Sequence, residues 1–209
     1  MSEASVQRGK LFVIAAPSGA GKTTLVRALM TRVASLRFSI SYTTRKPRPN
    51  EQHGRDYFFV DHAEFERMAA AGEFLEHARV FDNYYGTSKP QVEGMLRSGD
   101  NVLLEIDWQG AQQIRRAMPE CQSIFILPPS REALEQRLRG RQTDNDEVIA
   151  RRLRDSIADM SHWNEFDFVV VNDEFERATG DLETIVAGLG DALRRDRPEL
   201  QTLIRRLLG

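Results

Sequence analysis

Residues 16–23 read Ala-Pro-Ser-Gly-Ala-Gly-Lys-Thr and match the phosphate-binding pattern G-x-x-x-x-G-K-[ST], except that alanine occupies the first position. In this pattern the inner glycines let successive backbone N–H groups turn toward a phosphate, and the positive end of the following helix adds to the attraction. Lys22 is placed to reach the β- and γ-phosphates, and the Thr23 hydroxyl to ligate Mg²⁺. The loop predicts a nucleoside triphosphate site, with a backbone at Ala16 that tolerates a Cβ atom.

The residues on both sides of the loop predict the elements that this chemistry requires. Leu11–Ala15 is a continuous apolar run, typical of a strand buried on both faces of a parallel sheet. After the loop, Leu25, Val26 and Leu29 recur at helical spacing and predict a helix over 22–33. The order strand, glycine loop, helix argues against a chance glycine-rich turn.

Three more apolar runs have the composition of buried strands, and each lies beside sequence of helical periodicity: Asn101–Ile106, Gln122–Leu127 and Phe166–Val171. A further helix is predicted over 174–195. Strands that alternate with helices indicate βαβ units, and therefore an α/β fold with a mostly parallel sheet and helices on both faces.

Two insertions interrupt this core. Between residues 38 and 90 the pattern becomes alternating and aromatic, with a turn-rich segment at 47–54, so we expect a partly antiparallel subdomain. Ser130 can cap a helix, and the polar, glycine-interrupted sequence after that helix has the composition of a mobile flap. A small core with two polar insertions favours a kinase of small molecules over a GTPase or a motor, because lids exclude water from a transferred phosphoryl group. No N-K-x-D guanine motif of a GTPase occurs.

The composition limits the kinds of partner. The 29 Lys+Arg and 31 Asp+Glu give a net charge of −2, so no basic field predicts nucleic acid as a ligand. No apolar run approaches the roughly 20 residues of a membrane helix, and the polar start MSEASVQRGK predicts a cytoplasmic protein without a secretory signal. Cys121 is the lone cysteine, and the four histidines are scattered. Arginine supplies 25 of the 29 cations, either as a compositional bias or as forks that bind phosphate.

The C-terminal tail carries one apolar stripe at helical spacing, made of Leu200, Leu203, Ile204, Leu207 and Leu208. Such a helix either packs on its own domain or mediates self-association, and the sequence leaves both interpretations open.

The chain resembles the bacterial guanylate kinases in six ordered blocks, which read APSGAGKTT, SYTTRKPRPNEQHGRDYFFV, GEFLEHARVFDNYYGTSK, LLEIDWQGAQQIR, LPPSREALEQRLRGR and FVVVND. The resemblance covers residues 8–190, nearly the whole chain. The resemblance implies three parts of a P-loop NTPase fold and a separate tail: a core over 8–36, 93–128 and 160–195, a GMP-binding insertion over 37–92, a helical lid over 129–159, and the tail over 196–209. It also implies transfer of the γ-phosphoryl group of ATP to GMP, or to dGMP, with Mg²⁺, in purine metabolism and GMP recycling.

The same resemblance implies the residues that bind GMP. They are Ser41, Arg45, Arg48, Tyr57, Glu76, Tyr85, Thr87, Glu105 and Asp107. Two guanidinium groups and two phenol hydroxyls suit a dianionic phosphate. The Glu76 carboxylate can accept hydrogen bonds from N1–H and the amino group of guanine, whereas adenine has no N1 donor. Glu105 stands where some relatives carry aspartate, and we expect it near the guanosine.

For ATP and catalysis the implied residues lie in the loop and the lid. Those that bind ATP are Ala15, Ala16, Pro17, Ser18, Gly19, Ala20, Gly21, Lys22, Thr23, Thr24, Arg141 and Asn172. The catalytic set is Lys22, Arg45, Arg137, Arg141 and Arg152, and Thr23 and Asp107 support Mg²⁺, partly through water. The acceptor phosphate has a second pKa of about 6, so catalysis requires positioning and charge neutralisation rather than a general base.

Two alternatives remain at this level. Guanylate-kinase-like domains also occur as catalytically silent protein-binding modules, which typically have damaged phosphate loops, whereas Gly19, Gly21, Lys22 and Thr23 are intact here. A related kinase of another phosphorylated acceptor, such as a ribose bisphosphate, would not require Glu76.

Overall fold

The computed structural model describes residues 7–80, 82–140 and 146–209. In these ranges the strands are β1 (Leu11–Ala15), β2 (Leu36–Phe38), β3 (Tyr42–Thr43), β4 (Phe58–Phe59), β5 (Phe74–Val80), β6 (Asn83–Ser88), β7 (Asn101–Glu105), β8 (Gln122–Leu127) and β9 (Phe168–Val171). The helices are α1 (Lys22–Arg32), α2 (His62–Ala70), α3 (Lys89–Arg97), α4 (Trp108–Ala117), α5 (Arg131–Arg139), α6 (Asp146–Met160), α7 (Phe175–Val186) and α8 (Pro198–Leu208), with 3₁₀ turns at Ser161–Glu165 and Gly190–Leu193. The predicted α/β fold is confirmed.

The chain forms two compact units. The first holds residues 35–104 and 109–121 together with the segment before Phe12, and the second holds residues 12–34, 105–108 and 122–209.

In the first unit the segment expected to be partly antiparallel forms a four-stranded sheet in the order β4-β3-β6-β5. Strand β6 pairs antiparallel with both β3 and β5, whereas β3 and β4 are parallel. The α2 helix covers this sheet through Phe65, whose ring stacks on Phe74 at 4.6 Å and on Tyr84 at 5.4 Å between centroids. Asp61 caps α2 by accepting a hydrogen bond from the Glu64 N–H at 2.8 Å. In the same unit β2 and β7 pair in parallel.

In the second unit β8 pairs in parallel with both β1 and β9. All five residues of β1 are buried, as are Leu25, Val26 and Leu29 on the inner face of α1. These apolar side chains explain why the strand and the helix on either side of the phosphate loop form here. The strand β1 is apolar on both faces, and the helix α1 buries one apolar face.

The helix predicted over 174–195 is shorter than expected. It ends at Val186, because Gly188 adopts the left-handed region at φ +81° and its N–H donates to the Ile185 carbonyl at 2.9 Å. The chain then makes the 3₁₀ turn at Gly190–Leu193. The prediction of one long helix was wrong. It followed the apolar periodicity and gave too little weight to Gly188 and Gly190, which lie where the helix has ended.

The tail forms α8 and packs within the second unit. Leu200, Ile204 and Leu207 are buried, and the Arg131 Nε donates to the Leu207 carbonyl at 2.6 Å. Because most of the apolar stripe is covered within this unit, the structure favours intramolecular packing over self-association through the tail.

Replacing Leu207 by alanine is expected to lower the free energy of unfolding by about 2–5 kcal/mol, because a fully buried leucine leaves a cavity. Urea denaturation followed by circular dichroism measures this change. Leu203→Ala is the matched control, since Leu203 lies on the same helix but is only half-buried. Equal effects of the two substitutions would contradict the placement of α8.

In the part of the chain that the structure describes, no helix has the length and apolar character needed to cross a membrane.

Candidate functional site

The phosphate loop joins β1 to α1 in the second unit. Gly19 and Gly21 adopt φ values of +87° and +93°, a region that favours glycine. Gly21 is the N-cap of α1, and no side chain caps the first turn. A Cβ atom at Gly21 would lie 2.3 Å from the Asn172 Nδ2, so the close approach also requires glycine. The loop thus presents an uncapped helix N-terminus, a favourable site for an anion.

Side chains from α5, from α6 and from the segment after β9 hold the carbonyl groups of the loop. The Ala20 carbonyl accepts hydrogen bonds from the Asn172 Nδ2 at 2.7 Å and the Arg137 Nη1 at 3.2 Å. The hydroxyl of Ser156, buried on α6, donates to the Ser18 carbonyl at 3.0 Å. The loop conformation is therefore fixed before any ligand binds.

Lys22 begins α1, and its ammonium group donates to the Ile106 carbonyl at 2.7 Å. Burial lowers the pKa of Lys22, whereas the carboxylates of Glu105, Asp107 and Asp159 act in the opposite direction. The acidic residues at the end of β7 and on α6 thus stabilise the charged form of the lysine that the motif assigns to phosphate.

The residues next to Lys22 fit a magnesium ion bound together with nucleotide phosphates. The Thr23 hydroxyl donates to the Glu105 Oε1 at 2.6 Å, and Asp107 follows on the exposed side of the β7 end. Mg²⁺ in such sites takes one or two carboxylates, phosphate oxygens and water. Within the described ranges no cluster of three or more metal-binding side chains could hold an ion alone. Glu105, which is expected near the guanosine, also contacts the hydroxyl that is expected to ligate Mg²⁺.

An open cleft of about 370 Å³ lies beside the loop. It is lined by Gly19, Gly21, Thr24, Arg137, Asn172, Asp173 and Phe175. Arg137 forms part of its wall because its Nη2 donates to the Asn172 carbonyl at 2.8 Å. The volume is within the range of small-molecule sites, and the phosphate-loop residues Gly19 and Gly21 form part of the wall.

Of the two further arginines of the predicted lid, the structure describes Arg152. Arg152 is half-buried on α6 in the second unit. Arg141 lies outside the residues that the structure describes.

In the first unit Glu76 on β5 and Thr87 on β6 are register partners. Glu76 is 6% exposed, and its Oε1 accepts a hydrogen bond from the Thr87 hydroxyl at 2.6 Å. Burial makes a carboxylate costly unless polar groups satisfy it, and the Thr87 hydroxyl is one such group. Ser41 is half-buried immediately before β3, the strand on the other side of β6.

A second cluster of the first unit contains most of the predicted phosphate-binding groups. The Arg45 guanidinium lies 5.4 Å from the centroid of the Tyr57 ring, and the Tyr57 and Tyr85 rings meet edge-on at 6.0 Å. The hydrogen bond to Glu51 raises the pKa of Arg45, and Tyr85 adds to the effect. Arg48 is exposed on the following turn.

Sequence reasoning did not single out three residues that hold these groups. They are Ser156, Gln113 and Glu51. The Glu51 carboxylate contacts both Arg45 and Arg48. The Gln113 side chain on α4 accepts from the His77 N–H and donates to the His77 carbonyl, both at 3.2 Å, and so pairs with the edge strand β5 beside Glu76. A serine in the middle of a helix was a usable signal for Ser156, whereas the other two contacts depend on tertiary structure.

The structure therefore places the predicted residues in two groups. The second unit contains the loop, Asn172, Arg137, Arg152, Glu105 and Asp107, and the first unit contains Ser41, Arg45, Arg48, Tyr57, Glu76, Tyr85 and Thr87.

Known proteins share this combination of sequence and fold. The guanylate kinase family model matches residues 8–188. The guanylate kinase of Methylococcus capsulatus is 56% identical over 202 residues, which cover 97% of this chain and 99% of that protein. The guanylate kinase of Escherichia coli K12 is 50% identical over 204 residues, covering 97% and 99%. The crystal structure of guanylate kinase from Anaplasma phagocytophilum superposes with a TM-score of 0.71 at 34% identity, over 93% of this chain and 94% of that one.

Proposed function

Because the chain belongs to the guanylate kinase family, we propose that it transfers the γ-phosphoryl group of ATP to GMP, and also to dGMP, giving ADP and the nucleoside diphosphate. The observation that carries the choice of acceptor is the buried Glu76 carboxylate with the Thr87 hydroxyl at 2.6 Å. The intact loop with Lys22 supports ATP as the donor. Such an enzyme serves purine metabolism and the recycling of GMP.

The proposed mechanism depends on positioning and charge neutralisation. Arg45, Arg48 and the two tyrosines hold the acceptor phosphate, whose second pKa of about 6 leaves the attacking oxygen ionised at neutral pH. Lys22 and the N–H groups of the loop stabilise the charge that develops on the transferred phosphoryl group. No side chain has to remove a proton.

Mg²⁺ is the proposed cofactor. Thr23, Glu105 and Asp107 would hold it, partly through water, and when bound it would neutralise charge on the phosphate oxygens. The hydrogen bond from Thr23 to Glu105 supports a role for Glu105 at this position, in addition to the proposed contact with the guanosine.

The lid arginines complete the proposal. Arg137, Arg141 and Arg152 would approach the transferring group and exclude water when the lid closes. The hydrogen bonds of Arg137 to the Ala20 and Asn172 carbonyls support an additional role for this residue in shaping the ATP cleft.

We further propose a cytoplasmic location, where both nucleotides are available.

The two alternatives are not favoured. A silent binding module does not require the charged lysine and the two left-handed glycines of the loop, which are all present. A ribose bisphosphate kinase has no use for a buried carboxylate that can accept from a nucleobase.

The proposed function is tested by ADP formation from Mg·ATP with GMP, dGMP, AMP, UMP or dTMP as the acceptor. We expect GMP to give the highest kcat/KM and AMP to be poorer by a factor of about 10⁴ or more, because a site built to bind a donor rejects an analogue that lacks it. Chromatography of the products shows whether GDP accompanies ADP, and a reaction without acceptor measures hydrolysis. Absence of a GMP preference would exclude the proposal.

A further inference from the structure

Glu51 lies in the turn after Arg48 and uses each of its carboxylate oxygens for a different arginine residue. Its Oε1 accepts a hydrogen bond from the Arg45 Nη2 at 2.8 Å, and its Oε2 accepts one from the Arg48 backbone N–H, also at 2.8 Å. The side chains of Glu51 and Arg45 are only 17% and 16% exposed. One carboxylate thus connects both arginines that are proposed to grip the acceptor phosphate.

The Arg45 side chain is restrained on several sides. In addition to Glu51, the Lys46 carbonyl accepts from its Nη1 at 2.9 Å, and the rings of Tyr57 and Phe59 lie 5.4 and 5.9 Å from the guanidinium carbon. A free arginine loses substantial rotamer entropy when it is fixed, so a guanidinium held in advance binds its ligand with a smaller entropic cost.

The Arg48 segment is fixed through its backbone. The Glu51 N–H donates to the Arg48 carbonyl at 3.0 Å, while the Glu51 carboxylate accepts from the Arg48 N–H. These reciprocal hydrogen bonds close the turn that presents Arg48, whose own side chain is exposed. Loss of the carboxylate would remove one hydrogen bond from each of the two arginine residues.

We propose that Glu51 is a positioning residue that holds Arg45 and Arg48 ready for the acceptor phosphate; this inference rests on the proposed function. A carboxylate near a site for a dianion opposes binding by charge repulsion. Its placement is useful because the two hydrogen bonds orient the arginines, and the low exposure of the pair strengthens those bonds. The lowered pKa of Glu51, caused first by its hydrogen bond with Arg45, keeps the carboxylate ionised at neutral pH.

Glu51→Ala and Glu51→Gln test the proposal, with Asp56→Asn as the matched control. Asp56 lies in the same loop, accepts from the Gln52 N–H at 2.8 Å and pairs with Arg55, but contacts neither of the arginines under test. We expect Glu51→Ala to raise the KM for GMP at least about tenfold, because it loses two hydrogen bonds that involve a charged group. The KM for ATP should change less than about twofold, because the two residues that the Glu51 carboxylate contacts are assigned to the GMP phosphate and not to ATP binding.

Glu51→Gln is expected to have an intermediate effect. Its amide oxygen can still accept from the Arg48 N–H, whereas its amino group cannot accept from Arg45. Asp56→Asn should retain the wild-type constants.

Isothermal titration calorimetry with GMP and with guanosine separates positioning from general structural damage. If Glu51 acts on the phosphate, Glu51→Ala weakens GMP binding and leaves guanosine binding unchanged. Unchanged or tighter GMP binding, or an equal loss for both ligands, would overturn the proposal. Because binding is read without turnover, a wild-type protein that fails to phosphorylate GMP would exclude the proposed function while the comparison still tests Glu51.

Discussion

Lys22→Ala is expected to lower kcat for phosphoryl transfer by a factor of at least about 10²–10³, while the protein remains folded. Lys22 is the lysine of the phosphate loop, and Glu105, Asp107 and Asp159 support its charged form against burial. Without the ammonium group the developing negative charge loses a donor that backbone N–H groups cannot replace. Initial rates with saturating Mg·ATP and GMP measure the effect.

A folding control belongs to this experiment, because Lys22 also donates to the Ile106 carbonyl at 2.7 Å. The substitution leaves that buried acceptor without its lysine partner, at a cost of about 1–3 kcal/mol. Thermal unfolding should therefore show a modest decrease in Tm and an intact cooperative transition. Lys89→Ala provides the matched substitution at an exposed lysine that also begins a helix. A Lys22→Ala enzyme with more than a tenth of wild-type kcat would refute the assignment.

The sequence predicted the elements around the phosphate loop closely because several local signals agree there. The apolar run at Leu11–Ala15 is β1 with the same bounds, and Gln122–Leu127 is likewise β8. A strand buried on both faces has to be continuously apolar, so its ends are marked by the first polar residues. The region around Gly188 shows the opposite case, since a left-handed glycine there ends a helix within an apolar pattern that would otherwise continue.

The contacts of the site depend on tertiary structure and could not be predicted in the same way. Sequence reasoning expected Glu105 near the guanosine and did not predict that its carboxylate accepts a hydrogen bond from Thr23, 82 residues earlier in the chain, at 2.6 Å. Arg137 was expected to approach the transferred phosphoryl group, and its guanidinium contacts the carbonyls of Ala20 and Asn172. Pattern and spacing identify a residue type at a position, whereas the atom that it contacts depends on which elements pack together.

The contacts of Arg137 and Arg45 offer one explanation for the large excess of arginine over lysine in this chain. Arg137 bonds two carbonyl groups, and Arg45 bonds one carboxylate and one carbonyl, so in both cases the fork spans two acceptors. A lysine ammonium in either place would be a point charge without this fixed geometry. Some arginines of this chain therefore have a structural reason that is distinct from both compositional bias and phosphate binding.

Glu76→Gln is expected to lower kcat/KM for GMP by roughly 10–10²-fold and to change that for AMP much less. The carboxylate is 6% exposed, and the Thr87 hydroxyl occupies one side of its Oε1. It can accept from both N–H donors of guanine, whereas the glutamine amino group would face one of those donors with another donor. The ratio of the two kcat/KM values should therefore decrease by a similar factor.

The GMP/AMP ratio is the decisive measurement because general damage to the fold would lower both rates and leave their ratio unchanged. Glutamine has nearly the shape of glutamate and can still accept from the Thr87 hydroxyl, so the register of β5 and β6 should persist. Glu66→Gln, on the exposed side of α2, makes the same chemical change away from the site and should leave the ratio at the wild-type value. If Glu76→Gln also preserves the ratio, Glu76 does not read the base. Selectivity for guanine would then depend on other groups, among them the Ser41 hydroxyl, which can donate to the oxygen that distinguishes guanine from adenine.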